Sequence, residues 1–524
     1  MLYLDSEPCD ETKFQMKPNI VIIMADQLAP HFTGAYGHKI AKTPHIDALA
    51  ARGMRFDAAY CNSPLCAPSR FSFMSGQHIS RIGAYDNASE FKASTPTFAH
   101  YLKLLGYHTG LSGKMHFVGP DQKHGFEDRI TTDIYPSDFA WTPDWENPSE
   151  RMDKWYHNMQ TVKESGVAVA TFQTDYDDEV GYASRRWMID RGRAQAAGDA
   201  RPFALVASFI HPHDPYVAKP EFWDLYEDAD IEMPHLDYAY EDADPFTKRL
   251  MDGIEASSIP LTKQEVMRAR RAYLANVSYF DSKVGEIVKT LEDMGALENT
   301  IIMVTADHGD MLGERGLWYK MSFFEHSARV PLIMAGPGVS HGTTSNACSL
   351  VDILPSLIDI GGGDLDMLGE PVGGRSLMAL ARGEADDTDE AIGEYCAEIA
   401  GSPVFMIRRG NLKYIHCDLD PPQLYDIAAD PHETDNLASH PDYTEEAASF
   451  AAEVADRWDS EALRADIIKT QQSRLKLLGA MESDGGDSWD YNPPSDASQQ
   501  YVRNHMDWTV AAAHYRYPPL KDTD

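Results

Sequence analysis

The stretch Asn19-Ile20-Val21-Ile22-Ile23-Met24-Ala25-Asp26-Gln27 decides the fold class of this chain. The run up to Met24 is almost continuously apolar, which is typical of a strand buried on both faces of a parallel sheet. An acid, Asp26, follows at the carboxyl end of that strand, where open α/β sheets gather their ligands. The stretch therefore predicts an α/β fold with a functional site at this edge of the sheet.

A second strand of the same design lies far downstream. The run Thr300-Ile301-Ile302-Met303-Val304-Thr305 leads into Ala306-Asp307-His308-Gly309-Asp310. A lone aspartate at a strand end is more often a helix cap or a turn residue. Two acids at the ends of two buried strands can instead converge on a divalent cation, because such cations prefer oxygen ligands.

Strand-like and helix-like segments alternate over residues 17–375, where we expect the catalytic domain. Segments 202–210 and 330–335 indicate strands, and segments 47–53 and 262–291 indicate helices. This alternation predicts an α/β fold with a large, mostly parallel sheet sandwiched by helices.

The remaining chain has a different character. Residues 376–480 predict a smaller C-terminal α+β domain, with a hairpin at Arg409-Gly410-Asn411 and one charged helix over 444–478. Residues 481–524 are polar and rich in Gly, Asp, Ser and Pro, which predicts an extended C-terminal tail.

Composition narrows the choice of partners. The net charge of −36 argues against nucleic acid or an anionic membrane as a partner. The sequence has no apolar run long enough to span a bilayer. Residues 1–16 contain four acids and no apolar segment, so we do not expect a signal peptide there. Residues 1–15 are expected to form a short disordered extension, with Met16 as an alternative start.

Cysteine usage predicts a reducing compartment. The six cysteines, at positions 9, 61, 66, 348, 396 and 417, include no CxxC pair. Neither a zinc knuckle nor a disulfide framework is therefore indicated. This usage is typical of the cytoplasm, which is the location we expect.

The run Leu65-Cys66-Ala67-Pro68-Ser69-Arg70 carries the chemistry. Alone, it fits either a buried or redox-active cysteine before a turn or a modified catalytic cysteine. With the other motifs, the chain resembles the sulfatase branch of the alkaline-phosphatase-like superfamily over nearly its whole length and, within that branch, the choline sulfatases. The motifs that carry this resemblance are Ala25-Asp26-Gln27, Cys66 to Arg70, Gly113-Lys114-Met115-His116, His211-Pro212-His213-Asp214-Pro215, Ala306 to Asp310, Leu424-Tyr425-Asp426, Asp430-Pro431-His432-Glu433 and Asn436-Leu437.

The resemblance implies that Cys66 is only the precursor of the nucleophile. In this family a formylglycine-generating enzyme oxidises the cysteine to an aldehyde, which is hydrated to a diol. One diol hydroxyl attacks sulfur, and the other then expels sulfate as the aldehyde re-forms. The resemblance also implies a divalent metal, most often Ca²⁺, with Mg²⁺ or Mn²⁺ as alternatives. The implied metal ligands are Asp26, Gln27, Cys66, Asp307 and His308.

The other catalytic roles follow from the same resemblance. Arg70 is expected beside the diol, Lys320 is expected to bind sulfate, and His213, preferred over His211, is expected to act as general acid. Lys114 and His116, placed on one face of an extended segment, are expected to contact the diol and a sulfuryl oxygen.

The implied substrate is choline-O-sulfate, which is cleaved to choline and inorganic sulfate, and choline can serve as a precursor of betaine. A quaternary ammonium is held by aromatic faces and negative charge. The resemblance places Asn87, Trp141, His157 and Asn158 at the head group, with Glu398 as a carboxylate and Asp507 reaching in from a neighbour. It also implies a homotetramer embraced by the C-terminal tails.

Three alternatives stay open from the sequence. Many arylsulfatases carry Asp-Asp at Asp26-Gln27 and Asp-Asn at Asp307-His308, so this chain departs from the aryl sulfatases. The departure also fits hydrolases of phosphonate monoesters and phosphodiesters. A non-catalytic binder of choline or of a betaine-like osmolyte would not need the nucleophile precursor.

Overall fold

The structure, a computed structural model, describes residues 17–147, 157–483, 489–494, 507 and 509–510. The expected N-terminal extension and most of the expected tail lie outside these residues. In chain order the strands are β1 (Asn19–Asp26), β2 (Met54–Phe56), β3 (Ala59–Tyr60), β4 (His108–Gly113), β5 (Asp128–Arg129), β6 (Gly166–Val167), β7 (Phe203–Pro212), β8 (Val217–Ala218), β9 (Thr300–Ala306), β10 (Leu332–Ala335), β11 (Gly342–Thr344), β12 (Cys348–Ser349), β13 (Glu390–Tyr395), β14 (Val404–Arg409), β15 (Leu412–Cys417) and β16 (Gln423–Asp426).

The helices alternate with these strands along most of the chain. In chain order they are α1 (Pro44–Ala50), α2 (Cys66–Ser75), α3 (Ile79–Ile82), α4 (Phe98–Leu104), α5 (Met159–Lys163), α6 (Phe172–Ala196), α7 (Pro220–Trp223), α8 (Pro245–Gly253), α9 (Lys263–Asp293), α10 (Glu325–Ala328), α11 (Ile353–Ile360), α12 (Met378–Ala381), α13 (Thr444–Arg457) and α14 (Ser460–Glu482).

Eight strands form the large sheet, in the order β11-β2-β10-β9-β1-β7-β4-β5. Strand β1 lies at the centre and pairs in parallel with β7 and β9. Only β10 runs against its neighbours among these eight strands. Every residue of β1 and β7 is buried, so both faces of the sheet centre are covered. The predicted α/β fold with a mostly parallel sheet is confirmed.

Local sequence signals mark the first turns of two helices. Thr262 and Glu265 form a capping box at the start of α9, which confirms the helix predicted over 262–291. Helix α1 begins earlier than the predicted residue 47, because Pro44 occupies its first turn, where a missing N–H is tolerated.

A four-stranded antiparallel sheet, β13-β14-β15-β16, follows in the C-terminal part. The predicted hairpin is confirmed, since β14 and β15 pair around Gly410, whose φ is 58°. Helix α13 packs Phe450 and Val454 into the core of this sheet.

The single helix predicted over 444–478 is wrong. The chain breaks into α13 and α14 because Trp458 is extended and stacks on Phe405, with ring centroids 4.4 Å apart. Asp459 then caps α14 by accepting a hydrogen bond from the backbone of Ala462 at 2.9 Å. The bounds predicted for the domains stay predictions.

No helix among the described residues has both the length and the apolar composition that crossing a membrane requires.

Candidate active site

The candidate site lies at the carboxyl ends of four neighbouring strands. Asp26 ends β1 and Asp307 follows β9, while Lys114 follows β4 and His213 follows β7 after its last residue. Since these strands are parallel and adjacent in the order β9-β1-β7-β4, their ends bring the four side chains to one edge. All four are buried.

Arg70 joins the two aspartates from helix α2. Its Nη2 donates to Asp26 Oδ2 at 3.0 Å, and its Nε donates to Asp307 Oδ2 at 2.8 Å. Its Nη1 donates to the Lys114 carbonyl at 2.7 Å and to Ser208 Oγ at 2.8 Å. The Lys114 ammonium also contacts Asp26. Burial would raise the pKa of Asp26, but the surrounding cations, Lys114 foremost, hold it well below its usual range.

Cys66 is the first residue of α2 and faces the same cluster. Its Sγ lies 3.3 Å from His308 Nε2 and 3.8 Å from Asp26 Oδ1. Burial raises the pKa of the Cys66 thiol to about 11, with the Asp26 charge adding to the effect. The encoded side chain is therefore a thiol at neutral pH, and a thiol is a poor nucleophile.

Four buried residues bring their donor atoms together as a metal site would require. One ligand atom each from Asp26, Cys66, Asp307 and His308 lies within 4.8 Å of the others. His308 Nδ1 faces the Gly309 carbonyl at 3.0 Å, and a carbonyl only accepts, so Nδ1 carries the hydrogen and Nε2 keeps its lone pair. Burial lowers the pKa of His308 to about 4, which keeps the ring neutral. Two carboxylates and a neutral imidazole nitrogen fit a divalent cation.

Gln27 connects the candidate metal site to Lys320. Its backbone N–H donates to Asp307 Oδ1 at 3.0 Å, and its Oε1 accepts from Lys320 Nζ at 2.7 Å. Its Nε2 donates to Asp310 Oδ2 at 2.7 Å and to Asp214 Oδ1 at 3.3 Å. The amide oxygen faces Lys320 here, so its role as a metal ligand stays a prediction.

Lys320 lies between two histidines. Its Nζ is 2.9 Å from His213 Nε2 and 3.2 Å from His157 Nε2. His213 Nδ1 donates to the Asp214 carbonyl at 2.7 Å, so its Nε2 is the nitrogen that accepts from Lys320. Burial, and then the Lys320 charge, lower the pKa of both histidines well below the usual range.

The other histidine of the motif lies away from this cluster. His211 Nδ1 contacts Asp177 Oδ2 at 2.7 Å, and its ring packs edge-on against Tyr279. The role of His213 as general acid stays a prediction.

The segment around His116 is not the extended strand that we expected. His116 adopts a φ of 60°, three residues after Gly113, whose φ is 98°. Asp133 Oδ2 stabilises this turn by accepting the backbone N–H groups of Met115 and His116, each at 2.8 Å. Burial, with Lys114 nearby, lowers the pKa of His116 to about 3.

Tyr135 is a member of the site that sequence reasoning missed. Its ring lies 4.1 Å from Lys114 Nζ, and its hydroxyl lies 3.4 Å from His213 Nε2. The ring also packs against His116 at 5.1 Å and Trp141 at 5.0 Å. No sequence signal distinguishes this loop tyrosine, whereas the missed Asp214 and Asp310 lie inside motifs that we had already singled out.

The predicted head-group residues are only partly brought together. Trp141 lies edge-on to His116, with ring centroids 5.7 Å apart. Asn87 Oδ1 accepts the N–H of Ala67, beside Cys66, at 3.0 Å. Glu398 is buried, and its Oε2 has no hydrogen-bond partner among the described residues. Burial, and then the nearby Asp86, raise the pKa of Glu398 to about 8.

Two other predicted residues have local roles. The Asn158 side chain caps α5 by accepting the N–H groups of Gln160 and Thr161, at 3.0 and 3.3 Å. Asp507 is exposed and accepts from the backbone of Thr509 at 2.8 Å. Its reach into a neighbouring subunit stays a prediction. The aromatic residues Trp155 and Tyr156, which directly precede His157 and could also serve a head-group pocket, lie outside the described residues.

Two solved structures share the fold of this chain. The phosphonate monoester hydrolase of Agrobacterium radiobacter superposes with a TM-score of 0.66 at 22% identity, covering 86% of this chain and 96% of that one. A structure of a 2-O GAG sulfatase superposes with a TM-score of 0.64 at 22% identity, over 88% and 94% of the two chains. The fold is thus that of the sulfatase-like hydrolases.

Sequence comparison then defines the family. The family model described as Sulfatase matches residues 18–363. A second model, described as N-sulphoglucosamine sulphohydrolase, C-terminal, matches residues 313–459. A third, described as Choline sulfatase enzyme C terminal, matches residues 465–517. A protein of Rhizobium meliloti (strain 1021) named choline-sulfatase is 46% identical over 96% of this chain and 99% of its own. The chain belongs to the sulfatase family and is a sulfuric ester hydrolase.

Proposed function

We propose that this enzyme hydrolyses choline-O-sulfate to choline and inorganic sulfate. The observation that carries the proposal is the packed pair of Tyr135 and Trp141 next to two buried cations. Lys114 lies over the Tyr135 ring, and Lys320 contacts His213, which the Tyr135 hydroxyl also contacts. An aromatic face next to an anion-binding centre suits a substrate with sulfate at one end and a quaternary ammonium at the other. The 46% identical choline-sulfatase of Rhizobium meliloti supports the same substrate.

The sulfate end would be held by the buried cations. A formylglycine at position 66 would supply a hydroxyl nucleophile, and a divalent cation held by Asp26, Asp307 and His308 would polarise the sulfuryl oxygens. Arg70 fixes the position of both aspartates through hydrogen bonds of 3.0 and 2.8 Å. Lys114 and Lys320 carry the positive charge that would stabilise the sulfuryl oxygens in the transition state.

The leaving group would take its proton from the pair of Lys320 and His213. Choline leaves as a strongly basic alkoxide unless it is protonated, so acid assistance is worth ~10²–10⁴-fold. The Lys320 ammonium donates to His213 Nε2 at 2.9 Å, which places one transferable proton between these two groups.

The ammonium end would be held by Trp141 and Glu398. A cation over an indole face gains about 2 kcal/mol when both groups are desolvated. Glu398 would add a carboxylate to the pocket once it is ionised. We extend the proposal to Ca²⁺ as the ion, a cytoplasmic location and a homotetramer in which the tail carries Asp507 to a neighbouring site.

The test is the release of inorganic sulfate from choline-O-sulfate by protein co-produced with a formylglycine-generating enzyme. Cys66→Ala is the control, and 4-nitrophenyl sulfate and a phenyl phosphonate monoester are run alongside. The proposal expects Cys66-dependent release with a clear preference for choline-O-sulfate. Good turnover of an aryl ester with little sulfate release from choline-O-sulfate would instead assign an aryl sulfatase or a phosphonate or phosphodiester hydrolase.

The Trp141→Ala variant tests the head-group assignment separately. It should reduce kcat/KM for choline-O-sulfate far more than for the aryl phosphonate. Equal losses on both substrates would remove the choline assignment and leave the sulfatase chemistry intact.

A further inference from the structure

Helix α14 contacts the candidate site without supplying any of the residues assigned to it. Most of the helix lies in the region 465–517 that matches the choline sulfatase C-terminal model. Its polar side chains reach two loops, 85–89 and 139–147, which carry Asn87 and Trp141. These are the loops assigned to the head group, which raises the question of what holds them in place.

Arg474 is the central contact between α14 and these loops. Its Nη1 and Nη2 donate to the two carboxylate oxygens of Asp86, each at 2.6 Å. Both side chains are buried. The Nη1 group also lies 3.4 Å from Thr142 Oγ1, next to Trp141. One guanidinium therefore fixes both loops at once, with the paired geometry that only arginine offers a carboxylate.

Asp86 passes this contact on toward the nucleophile. Its Oδ1 accepts from the backbone of Ala88 at 3.0 Å and from Ser89 Oγ at 3.1 Å, which closes a tight turn around Asn87. Asn87 Oδ1 in turn accepts from the N–H of Ala67 at 3.0 Å. The Arg474 contact thus fixes the turn that carries Asn87.

Three neighbours of Arg474 hold the same loops at other points. Asp466 accepts from the Tyr85 hydroxyl at 2.8 Å, and Gln471 accepts from the Trp145 backbone at 3.0 Å. Gln472 donates to Glu146 at 2.8 Å. The Trp145 ring then donates to the Ala397 carbonyl at 3.0 Å, beside Glu398.

We infer that Arg474 is a positioning residue that sets the selectivity of this enzyme for the cationic head group, an inference that rests on the proposed function. The strand-end residues that hold the sulfate are bound to the large sheet and to one another. The loops of Asn87 and Trp141 are instead braced by α14. Losing the two hydrogen bonds from Arg474 to Asp86 should therefore weaken binding of the ammonium end of the substrate more than binding of the sulfate end.

The experiment compares Arg474→Gln with the wild type and with Lys469→Gln, which removes the same charge from an exposed position of α14. The substrates are choline-O-sulfate, its neutral isostere 3,3-dimethylbutyl sulfate, and 4-nitrophenyl sulfate. We expect Arg474→Gln to lower kcat/KM for choline-O-sulfate about tenfold or more, chiefly through KM, with changes within about threefold for the other two. Lys469→Gln should behave like the wild type, and Arg474→Lys should recover only part of the loss.

A second variant keeps the test decisive if Arg474→Gln folds poorly. Asp86→Asn/Arg474→Gln leaves no unpaired buried charge, and it should fold with the same loss of selectivity, because the two-point geometry is still missing. Equal losses on all three substrates, or no loss, would overturn the inference. A wild-type enzyme that turns over 4-nitrophenyl sulfate but not choline-O-sulfate would overturn the proposed function as well, and this outcome is seen before any variant is made.

Discussion

Burial sets the protonation state of the side chains around Cys66. It raises the pKa of the Cys66 thiol to about 11 and lowers the pKa of His116 to about 3 and of His308 to about 4. The site therefore combines neutral imidazoles with the fixed cations Arg70 and Lys114 at neutral pH. Such a site stabilises anions but contains no thiolate, which agrees with a nucleophile that is made after translation.

Replacing His213 with alanine tests the proton supply to the leaving group. His213→Ala should lower kcat for choline-O-sulfate by ~10²–10⁴-fold, because an alkoxide leaves poorly without a proton. The loss for 4-nitrophenyl sulfate should be much smaller, since nitrophenolate leaves without help. Steady-state kinetics on both substrates measure the difference, with His211→Asn as the control from the same motif. An equal loss on both substrates would assign His213 to sulfate binding instead.

Glu398 gives a pH dependence with a defined sign. Burial, followed by Asp86, raises the pKa of its carboxyl to about 8, so the free enzyme holds it protonated at neutral pH. A cationic head group binds the ionised form, so KM for choline-O-sulfate should fall by up to about tenfold per pH unit as the pH rises toward 8, and then level off.

Two controls test this prediction: one removes the positive charge of the substrate, and the other removes the carboxylate of Glu398. KM for the neutral 3,3-dimethylbutyl sulfate should not follow this profile, and Glu398→Gln should flatten the profile for choline-O-sulfate. A wild-type KM that stays constant between pH 6 and 8.5 would show that Glu398 does not face the ammonium.

Part of the site could be predicted residue by residue from the sequence. Asp26 and Asp307 follow recognisable buried strands, so their convergence follows from the parallel order of the sheet. Tyr135 and Asp133 could not be found this way, because their contacts depend on the path of an irregular loop. The role of Arg474 depends on a contact with Asp86 across 388 positions of sequence, which no local pattern encodes.

At the scale of elements, the end of strand β4 places Lys114. Gly113 has a φ of 98°, and a Cβ built on it would lie 1.9 Å from the Ser208 carbonyl oxygen. That oxygen accepts the N–H of Lys114 at 3.0 Å. A side chain at position 113 would therefore push β4 away from β7 directly before Lys114.

Gly113→Ala should lower the free energy of unfolding by about 3–5 kcal/mol, because a backbone clash adds to the strain of a positive φ. Gly106→Ala is the matched control. Gly106 also has a positive φ of 90°, but its added Cβ would meet no atom within 4 Å among the described residues. Gly106→Ala should lower the free energy of unfolding by only about 1 kcal/mol. Urea denaturation measures both variants, and similar losses would mean that β4 yields to the added methyl group.

Periodicity predicted the helices and strands better than it predicted their ends. The buried strands β1 and β9 and the long helix α9 have unambiguous patterns, and the structure confirms them. The break at Trp458 has no such signal, because the charged pattern continues across it. The helix breaks there because Trp458 packs against Phe405, on strand β14 of the four-stranded sheet.

At the scale of the whole molecule, a buried ion cluster joins the small sheet to the catalytic core. Lys413, on β15, donates to Glu325 at 2.9 Å and to the Phe323 carbonyl at 2.8 Å, and it also contacts Glu433. Glu433 Oε2 accepts the N–H of Glu325 at 2.8 Å. Glu325 lies five residues after Lys320, so the cluster fixes the loop that carries a proposed sulfate ligand. This contact also gives a structural role to the Asp430-Pro431-His432-Glu433 motif.

Lys413→Met should destabilise the whole molecule, since it leaves Glu325 and Glu433 buried together without their cation. Breaking a buried ion pair in this way costs about 3–5 kcal/mol. Without Lys413 both carboxyl pKa values rise, so the loss should be larger at pH 7.5 than at pH 5, where protonation relieves the repulsion. Denaturation curves at both pH values measure this loss of stability, and the double variant Lys413→Met/Glu433→Gln should recover part of it.

The control variant is Lys289→Met, which removes an exposed partner of Asp293 and should leave the denaturation midpoint unchanged. If Lys413→Met behaved like Lys289→Met, the small sheet would be held to the core by its apolar contacts alone.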